Sequence, residues 1–589
     1  MKRIYLMAAA ICTMLAFSSC SNFFDEDSTY VINADDDHLN NATDTIYSVT
    51  GILNKLQAIA DRTVLLGEAR GDLVDVTSAT SSDLRALANF TVGDDNAYNV
   101  PRDYYAIINN CNYFIAKVDT AMKNNRNENI FKAEYAAVKA IRAWTYLQMV
   151  TTYGRVPFVT TPILTKEEAE KNYPSKDIKG ICEYFLHEDG LAELVDQEYP
   201  NYGDIKSLPS PLFFIPMRVI LGDLSLWNGD YMEAAKYYYA YITNRNGTNT
   251  SYPIGTNRAM WPDSQFMGWV SSLGDLYANE TNTSNGELIT MIPMDSIPSE
   301  GYYSQIRNIF NTSEENDYKV SLVPSKSLKT LSAAQMYCHY DEDNGKYVIA
   351  PKRQDLEEYN GDLRLGLLCR TNDNAVNSEG KRYSSQKIQK YSTRNIHIYR
   401  RTLVYLRLAE ALNCAGFPHY AYQILASGVN KSIITDSIGK YYSKADSAML
   451  VDNFTFPDAR YIVWRPDNNV SNYNTIGIHS RGSGFTPENQ YYKMPTNSAI
   501  TDPEELRRWQ QEQVEELIVN EEALEFAFEG HRFYDLMRVA LRRNDPSYLA
   551  KKIAMRSGTE NTALRTLLED TSNWYLKWNG QIGIDINAQ

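Results

Sequence analysis

Glu525-Phe526-Ala527-Phe528-Glu529-Gly530-His531-Arg532-Phe533-Tyr534-Asp535-Leu536-Met537-Arg538 is the stretch that decides the fold. It lies within a region, Pro503 through Arg543, whose pattern predicts helix. Glu529, Arg532, Asp535 and Arg538 recur at three-residue steps. That spacing sets charge along one helix side, where neighbouring segments supply partners. His531 is one of seven scattered histidines, so the cluster reads as structural rather than catalytic.

Helical patterns also dominate the first half. Ile107, Cys111, Ile115, Val118 and Met122 repeat at three- and four-residue steps. Glu134 to Tyr153 is Ala-rich and aromatic, with Ala137, Ile141, Trp144 and Gln148 on one face, and Gly154 and Pro157 stop it. Phe213 to Trp227 is a further apolar helix. Asn228-Gly229-Asp230-Tyr231 follows, then Ala234, Ala235 and Tyr238. Small alanines at a crossing with Tyr one turn on resemble the second helix of a tetratricopeptide repeat. A comparable helix-turn-helix runs from Tyr399 through Ala409-Glu410-Ala411, Gly416-Phe417-Pro418 and Ala421 to Leu425. No clean period of about 34 residues emerges. The fold class is mainly α, with irregular tetratricopeptide-like helical repeats supporting a loop-rich face. Residues 245–395 and 440–505 differ: they are rich in Asn, Ser, Thr, Gly, Asp and Tyr, with short apolar runs such as Leu288 to Ile292. Long loops of that kind in a helical protein carry function.

The N-terminus sets the compartment. Met1-Lys2-Arg3 is a short basic region, and Ile4 to Phe17 is mostly apolar but too short to cross a bilayer. Ser18-Ser19-Cys20 follows, so residues 1–19 read as a signal peptide and Cys20 as the lipidated N-terminus of the mature chain. Phe17 stands where Leu is usual. Residues 20–45 read as the lipidated Cys and a polar tether, and Asp35-Asp36-Asp37 within it as solvated chain rather than a calcium site. Acyl chains would hold the protein to the membrane at about 0.8 kcal/mol per buried methylene. Beyond the leader no run of about 18 apolar residues remains to span a bilayer.

Composition narrows the partners. The net charge of −15 disfavours nucleic acid, because an acidic surface repels phosphate, whereas a neutral ligand meets no such penalty. The 43 tyrosines are the outlier: each has an apolar face and a polar tip, suited to helix packing and to wet recognition surfaces. Cys111, Cys182, Cys338, Cys369 and Cys414 form no CxxC, and read as buried thiols rather than a metal site or a disulfide framework.

Ala133-Glu134, Ala140-Ile141-Arg142-Ala143-Trp144 and Tyr153-Gly154-Arg155-Val156-Pro157-Phe158 resemble the first signature of the SusD/RagB family. Glu521 with Glu525 through Arg538 resembles the last. Asp362-Leu363-Arg364 and Tyr405-Leu406-Arg407-Leu408-Ala409-Glu410-Ala411 resemble two landmarks between them. The chain departs from the pattern at Glu522, where Arg is common, and at Val539-Ala540, which replace Trp-Gly; these weaken a local ion pair or stacking contact. The resemblance implies one helical body over 46–589, with a helical part about 46–245, a loop-rich insert about 246–395 and a helical repeat and C-terminal part about 396–589. It further implies an outer-membrane, cell-surface lipoprotein that binds nutrient glycan and delivers it to a SusC-like TonB-dependent barrel, with no catalytic centre and no cofactor. Within the family a peptide ligand, as for RagB, is the alternative.

A sugar site wants aromatic platforms flanked by polar side chains. Two regions fit. One is the polar loops bearing Arg70, Asp72, Asn96 and Tyr98; the other is Trp261, Trp269, Tyr277, Tyr302 and Tyr303 in the insert, with Trp261 first among them. A glycoside hydrolase is the remaining rival and would need two carboxylates across a cleft. No GxSxG, HExxH, phosphate loop or calcium loop marks an enzyme.

Overall fold

The computed structural model describes residues 44–243, 287–295, 301–310, 320–336, 338–341, 346–349, 361–376, 380, 382–391, 393–426, 428–456, 477–483 and 492–578. The expected signal peptide, most of the tether, and Trp261, Trp269 and Tyr277 lie outside the described residues.

Helices dominate. The first part builds α1 (Asp44–Gln57), α2 (Ala60–Glu68), α3 (Pro101–Lys117) and α4 (Lys132–Tyr153). Pro101 starts α3, where a missing N–H costs nothing. The helix stops at Lys117, because Val118 turns to an extended conformation. The expected run through Met122 is therefore one turn too long; Val118 keeps its apolar contact without being helical. Gly154 caps α4 at φ +75°, as its position predicts.

Two helical hairpins follow. The first is α5 (Met217–Asn228) with α6 (Tyr231–Thr243), and the second is α7 (Arg401–Cys414) with α8 (Pro418–Ala426). α6 packs on both α5 and α7, which joins the hairpins side by side. Ala234, Ala235 and Tyr238 are fully buried at that crossing. α7 is buried on every side, from Arg401 to Asn413. Ser210–Asn228 is the one described stretch long and apolar enough to cross a membrane, but 78% of it is inside the protein, as in a core helix. The C-terminal part adds α9 (Pro503–Phe526), α10 (Arg532–Arg543) and α11 (Pro546–Ala554).

Strands are short and paired in twos. β1 (Leu288–Ile292) is the apolar run expected within the insert. It pairs antiparallel with β2 (Ile396–Arg400), Ile292 facing Ile396 and Leu288 facing Arg400. This ribbon ties Leu288–Ile292 of the insert to the segment that leads into α7.

The stretch that opened the sequence reading is not one continuous helix. α9 ends at Phe526, α10 begins at Arg532, and Phe528 (φ +73°) and Gly530 (φ +90°) turn the chain between them. α2 crosses this turn at contact: a Cβ on Gly67 would lie 1.7 Å from the Gly530 carbonyl oxygen. The turn is held by Gly530 N donating to Glu68 Oε1 (2.8 Å) and by Tyr391 Oη donating to Phe528 O (2.6 Å).

Around it the recognised segments converge on a buried charge network. Glu525 receives Nη1 of Arg364 (2.8 Å), Arg400 (2.7 Å) and Arg481 (2.7 Å). Glu529 takes Arg400 through two bonds of 2.8 and 2.9 Å, and also pairs with Lys390. Glu287 takes Arg481 (2.8 Å) and the Thr402 hydroxyl (2.5 Å). Arg364 also binds Asp362 (2.7 Å) and Glu521 (2.7 Å). A neighbouring set joins Arg538 to Glu410 (2.8 Å) and Asp535 (2.7 Å), and Arg532 to Asp72 (2.6 Å). Glu529, Arg532 and Arg538 thus pair with other segments, as their pattern predicts, and Asp535 pairs with Arg538 of its own helix. Glu522, the departure from the family pattern, is buried beside Asp535 and Glu410. Desolvation and those two carboxylates hold it well above the ordinary glutamate range.

The chain's last described segment returns to its beginning. Leu576 N donates to Thr152 O (3.0 Å), Asn99 Nδ2 to Lys577 O (3.1 Å), and Trp578 packs edge-on against Tyr105 and Tyr153.

Candidate functional site

Asp61, in the first turn of α2, organises the face on which the two predicted loop regions meet. Its Oδ1 accepts from Ser304 Oγ (2.6 Å) and its Oδ2 from Gln305 N (2.8 Å), which fixes the Tyr302–Gln305 loop across the helix start. Gln57 Nε2 donates to Pro293 O (2.7 Å) and Asn395 Oδ1 accepts from Met294 N (2.9 Å), so the end of β1 is tied to α1 and to the approach to β2. Asp295 N donates to Tyr302 O (2.9 Å), and Asp295 also pairs with Lys206 Nζ (2.6 Å).

Tyr302 is 47% exposed and presents its ring to solvent. Tyr303 is half-buried, its ring covered by the Arg394 guanidinium at 3.4 Å. Arg394 Nη1 also donates to Ser304 O (3.1 Å). Tyr98 is half-buried on the neighbouring loop. Its phenol is raised by burial and then by the carboxylates of Asp61 and Asp83. Asp61 is itself raised by burial, against hydrogen bonds from Ser304 and Gln305 and the charges of Arg62 and Arg394.

The expectations for the remaining residues are met unevenly. Asn96 is buried and shapes its loop, donating to Asp83 O (3.1 Å) and accepting from Tyr98 N (2.9 Å). Arg70 and Asp72 are not loop residues at a surface, which corrects the sequence reading. Arg70 is fully buried, donating to Leu66 O (2.7 Å), Trp574 O (2.8 Å) and Tyr534 Oη (3.0 Å), with its guanidinium 4.1 Å over Phe533. Asp72 is 5% exposed and takes Arg532 through both oxygens. Their polar character serves the junction between α2 and the C-terminal segment. Sequence reasoning missed Asp61, Asp83 and Arg394. An acid in a helix's first turn has its ordinary explanation in the helix dipole, so nothing in the sequence marked Asp61.

The arrangement is one of positioning. Ser304 is held by a carboxylate, but no histidine is bonded to either group among the described residues. No group of three His, Cys, Asp or Glu side chains suits a metal there either. Two cavities of about 180 and 60 Å³ share no lining residue with this face. Both are smaller than the roughly 300–1,000 Å³ of usual small-ligand pockets. The face is open, with one exposed ring, two half-buried rings and polar groups beside them.

The SusD family model matches residues 486–578, which contain α9 to α11 and the closing segment. SusD-like protein P2 of Formosa agariphila is 27% identical over 238 residues, a match spanning 40% of this chain and 42% of that relative. Among solved structures, a SusD superfamily protein from Bacteroides vulgatus superposes with TM-score 0.53 at 15% identity, covering 90% of this chain and 93% of the other. One from Bacteroides thetaiotaomicron gives TM-score 0.53 at 15% identity, covering 92% and 100%. A provisionally described sugar binding protein of Bacteroides vulgatus gives 0.52 at 16%, covering 86% and 88%. The C-terminal part of the chain, residues 486–578, is thus similar to the SusD family, and a longer stretch to one SusD-like relative. The structural likenesses establish the SusD-like helical fold.

Proposed function

We propose that this protein captures oligosaccharide or polysaccharide at a bacterial cell surface and delivers it, chemically unchanged, to a SusC-like TonB-dependent barrel. The observation that carries the reading is the convergence on Asp61 of two aromatic loops, with Tyr302 exposed and Tyr98 half-exposed among polar groups. Aromatic faces stack on the C–H faces of sugar rings, and neighbouring carboxylates and amides accept or donate hydroxyl hydrogen bonds. The match of residues 486–578 to the SusD family model supports the same role. Trp261, Trp269 and Tyr277 of the insert are further ligand contacts to be tested, and Tyr303 is braced by Arg394. Arg70, Asp72 and Asn96 act as braces behind the face. Lipidation at Cys20 and a tether over 20–45 anchor a body formed by residues 46–589 to the outer membrane. The tetratricopeptide-like hairpins leave the loop face to the ligand and turn to the barrel.

Affinity electrophoresis of the mature chain against purified polysaccharides tests this. Retardation by one glycan class that weakens in Tyr302→Ala supports both function and face. Retardation unchanged in Tyr302→Ala but lost in Trp261→Ala keeps the function and moves the site into the insert. Retardation by no glycan, with retention on a peptide column, replaces the glycan by a peptide.

A further inference from the structure

We infer that Lys206 is a positioning residue of the glycan face, acting on the ligand through Asp295 and the Tyr302 ring. The inference rests on the glycan-binding reading above and adds a residue to the same site. Lys206 and Ser207 form the tip of a two-stranded hairpin, Asp204–Ile205 with Leu208–Pro209. Both tip residues have positive φ, +50° and +65°, as a two-residue hairpin turn of this kind requires. Asn-Gly is the usual pair there, because side chains such as those of Lys and Ser resist that backbone conformation. The base of the hairpin is fixed: Tyr202 N donates to the buried Ser210 hydroxyl (2.8 Å) and Ser210 N to Gly203 O (3.0 Å). The tip is therefore held in one place, and a residue poorly suited to it carries an ammonium to the ligand face.

There Lys206 Nζ meets Asp295 Oδ1 at 2.6 Å, the lysine side chain 67% exposed and the carboxylate 7%. An ion pair with one end so open to water adds little to overall stability, so stability does not account for a lysine in this turn. What the pair does is local. Asp295 lies against Gly301, where a Cβ would come within 2.4 Å of Oδ2, and its own N–H donates to Tyr302 O (2.9 Å). Tyr302 carries the exposed ring. The residues after it are held from elsewhere: Tyr303 under Arg394, Ser304 and Gln305 on Asp61. Lys206 thus secures, through Asp295, the tie at the residue whose ring faces the ligand. A ring already set when the ligand arrives loses less conformational freedom on binding. Without the ammonium, the buried Asp295 carboxylate is drawn to water, and the Tyr302 backbone it holds moves with it.

The mature chain is screened by affinity electrophoresis against starch, xylan, galactan, mannan, alginate and polygalacturonate, and the best-retained polysaccharide is carried forward. The deciding variant is Lys206→Asn with Ser207→Gly, which gives the turn its usual residues and removes the ammonium. Its melting temperature should stay within about 2 °C of wild type. Its retention should weaken about three- to tenfold. Lys206→Arg, which can still reach the carboxylate, should hold retention within about twofold. Combined with Tyr302→Ala, the turn variant should add no further loss, because its effect passes through that ring. Retention unchanged in the turn variant, retention lost together with several degrees of melting temperature, or a loss that adds in full to that of Tyr302→Ala overturns the inference and leaves the glycan-binding reading standing. Retention by no polysaccharide, or retention insensitive to Tyr302→Ala, overturns the reading of this face and the inference with it.

Discussion

Replacing Arg400 by methionine tests the charge network that holds the recognised segments together. Arg400 is 1% exposed and binds Glu529 through two bonds, Glu525 through one, and the Glu525 carbonyl. The described network sets Arg364, Arg400, Arg481 and Lys390 against Asp362, Glu287, Glu521, Glu525 and Glu529. Carboxylates are in excess already, so loss of Arg400 widens the imbalance. Burial alone would raise Glu529, but Arg400 and then Lys390 bring it from an ordinary 4.5 down to about 2. A glutamate lowered by that much contributes about 3 kcal/mol. The contribution is present above pH 4.5 and is lost as pH falls towards 2. Removing one partner of a buried ion pair costs about 3–5 kcal/mol in general, and the two figures agree. Glu525→Gln removes the carboxylate that Arg364, Arg400 and Arg481 share, so it should cost as much, about 3–5 kcal/mol. The assay is urea unfolding at pH 7, followed by tryptophan fluorescence, with both variants beside wild type. A loss below about 1 kcal/mol for either variant would refute the reasoning.

Three further outcomes are expected. Gly67→Ala should lower stability by about 3 kcal/mol or more, because its Cβ meets backbone rather than a movable side chain, and a shifted urea midpoint measures it. Glu68 is fully buried and raised to about 8, mainly by desolvation, so its neutral form favours folding below pH 4.5 and that advantage fades as pH rises to 8. Glu68→Gln should therefore flatten the stability profile between pH 5 and 8 and be the more stable protein at pH 8 in thermal scans. Tyr302→Ala should leave the melting temperature unchanged, since the ring is exposed, while weakening glycan retention roughly 3- to 10-fold.

The helices were legible because their cores are periodic and their ends are punctuated. The α4 reading from Glu134 to Tyr153 agrees with Lys132–Tyr153, for Gly154 can only end it. The α5 reading started early at Phe213, since Phe213 and Phe214 are buried like helix residues although Pro216 sets the true boundary. Local spacing also hid the break at Gly530, which exists because α2 passes against that turn. At the candidate face, tyrosines in polar loops were visible in the sequence. Their meeting place was not, because Asp61 and Ser304 are 243 residues apart. Arg70 and Asp72 looked like surface groups for the same reason: their partners Trp574 and Arg532 lie 504 and 460 residues further on.

The return of Thr571–Trp578 to the first helices has a consequence for the order of events during biosynthesis. Arg70 and Asn99 find one carbonyl partner each in Trp574 and Lys577, and Tyr105 and Tyr153 their indole in Trp578, all translated long after them. The N-terminal helices therefore cannot reach their final packing before that segment has been made, and contacts so distant along the chain form slowly. A nascent chain of this kind leaves its first helices short of these partners until Trp574 to Trp578 have emerged, and only then can that segment lock them.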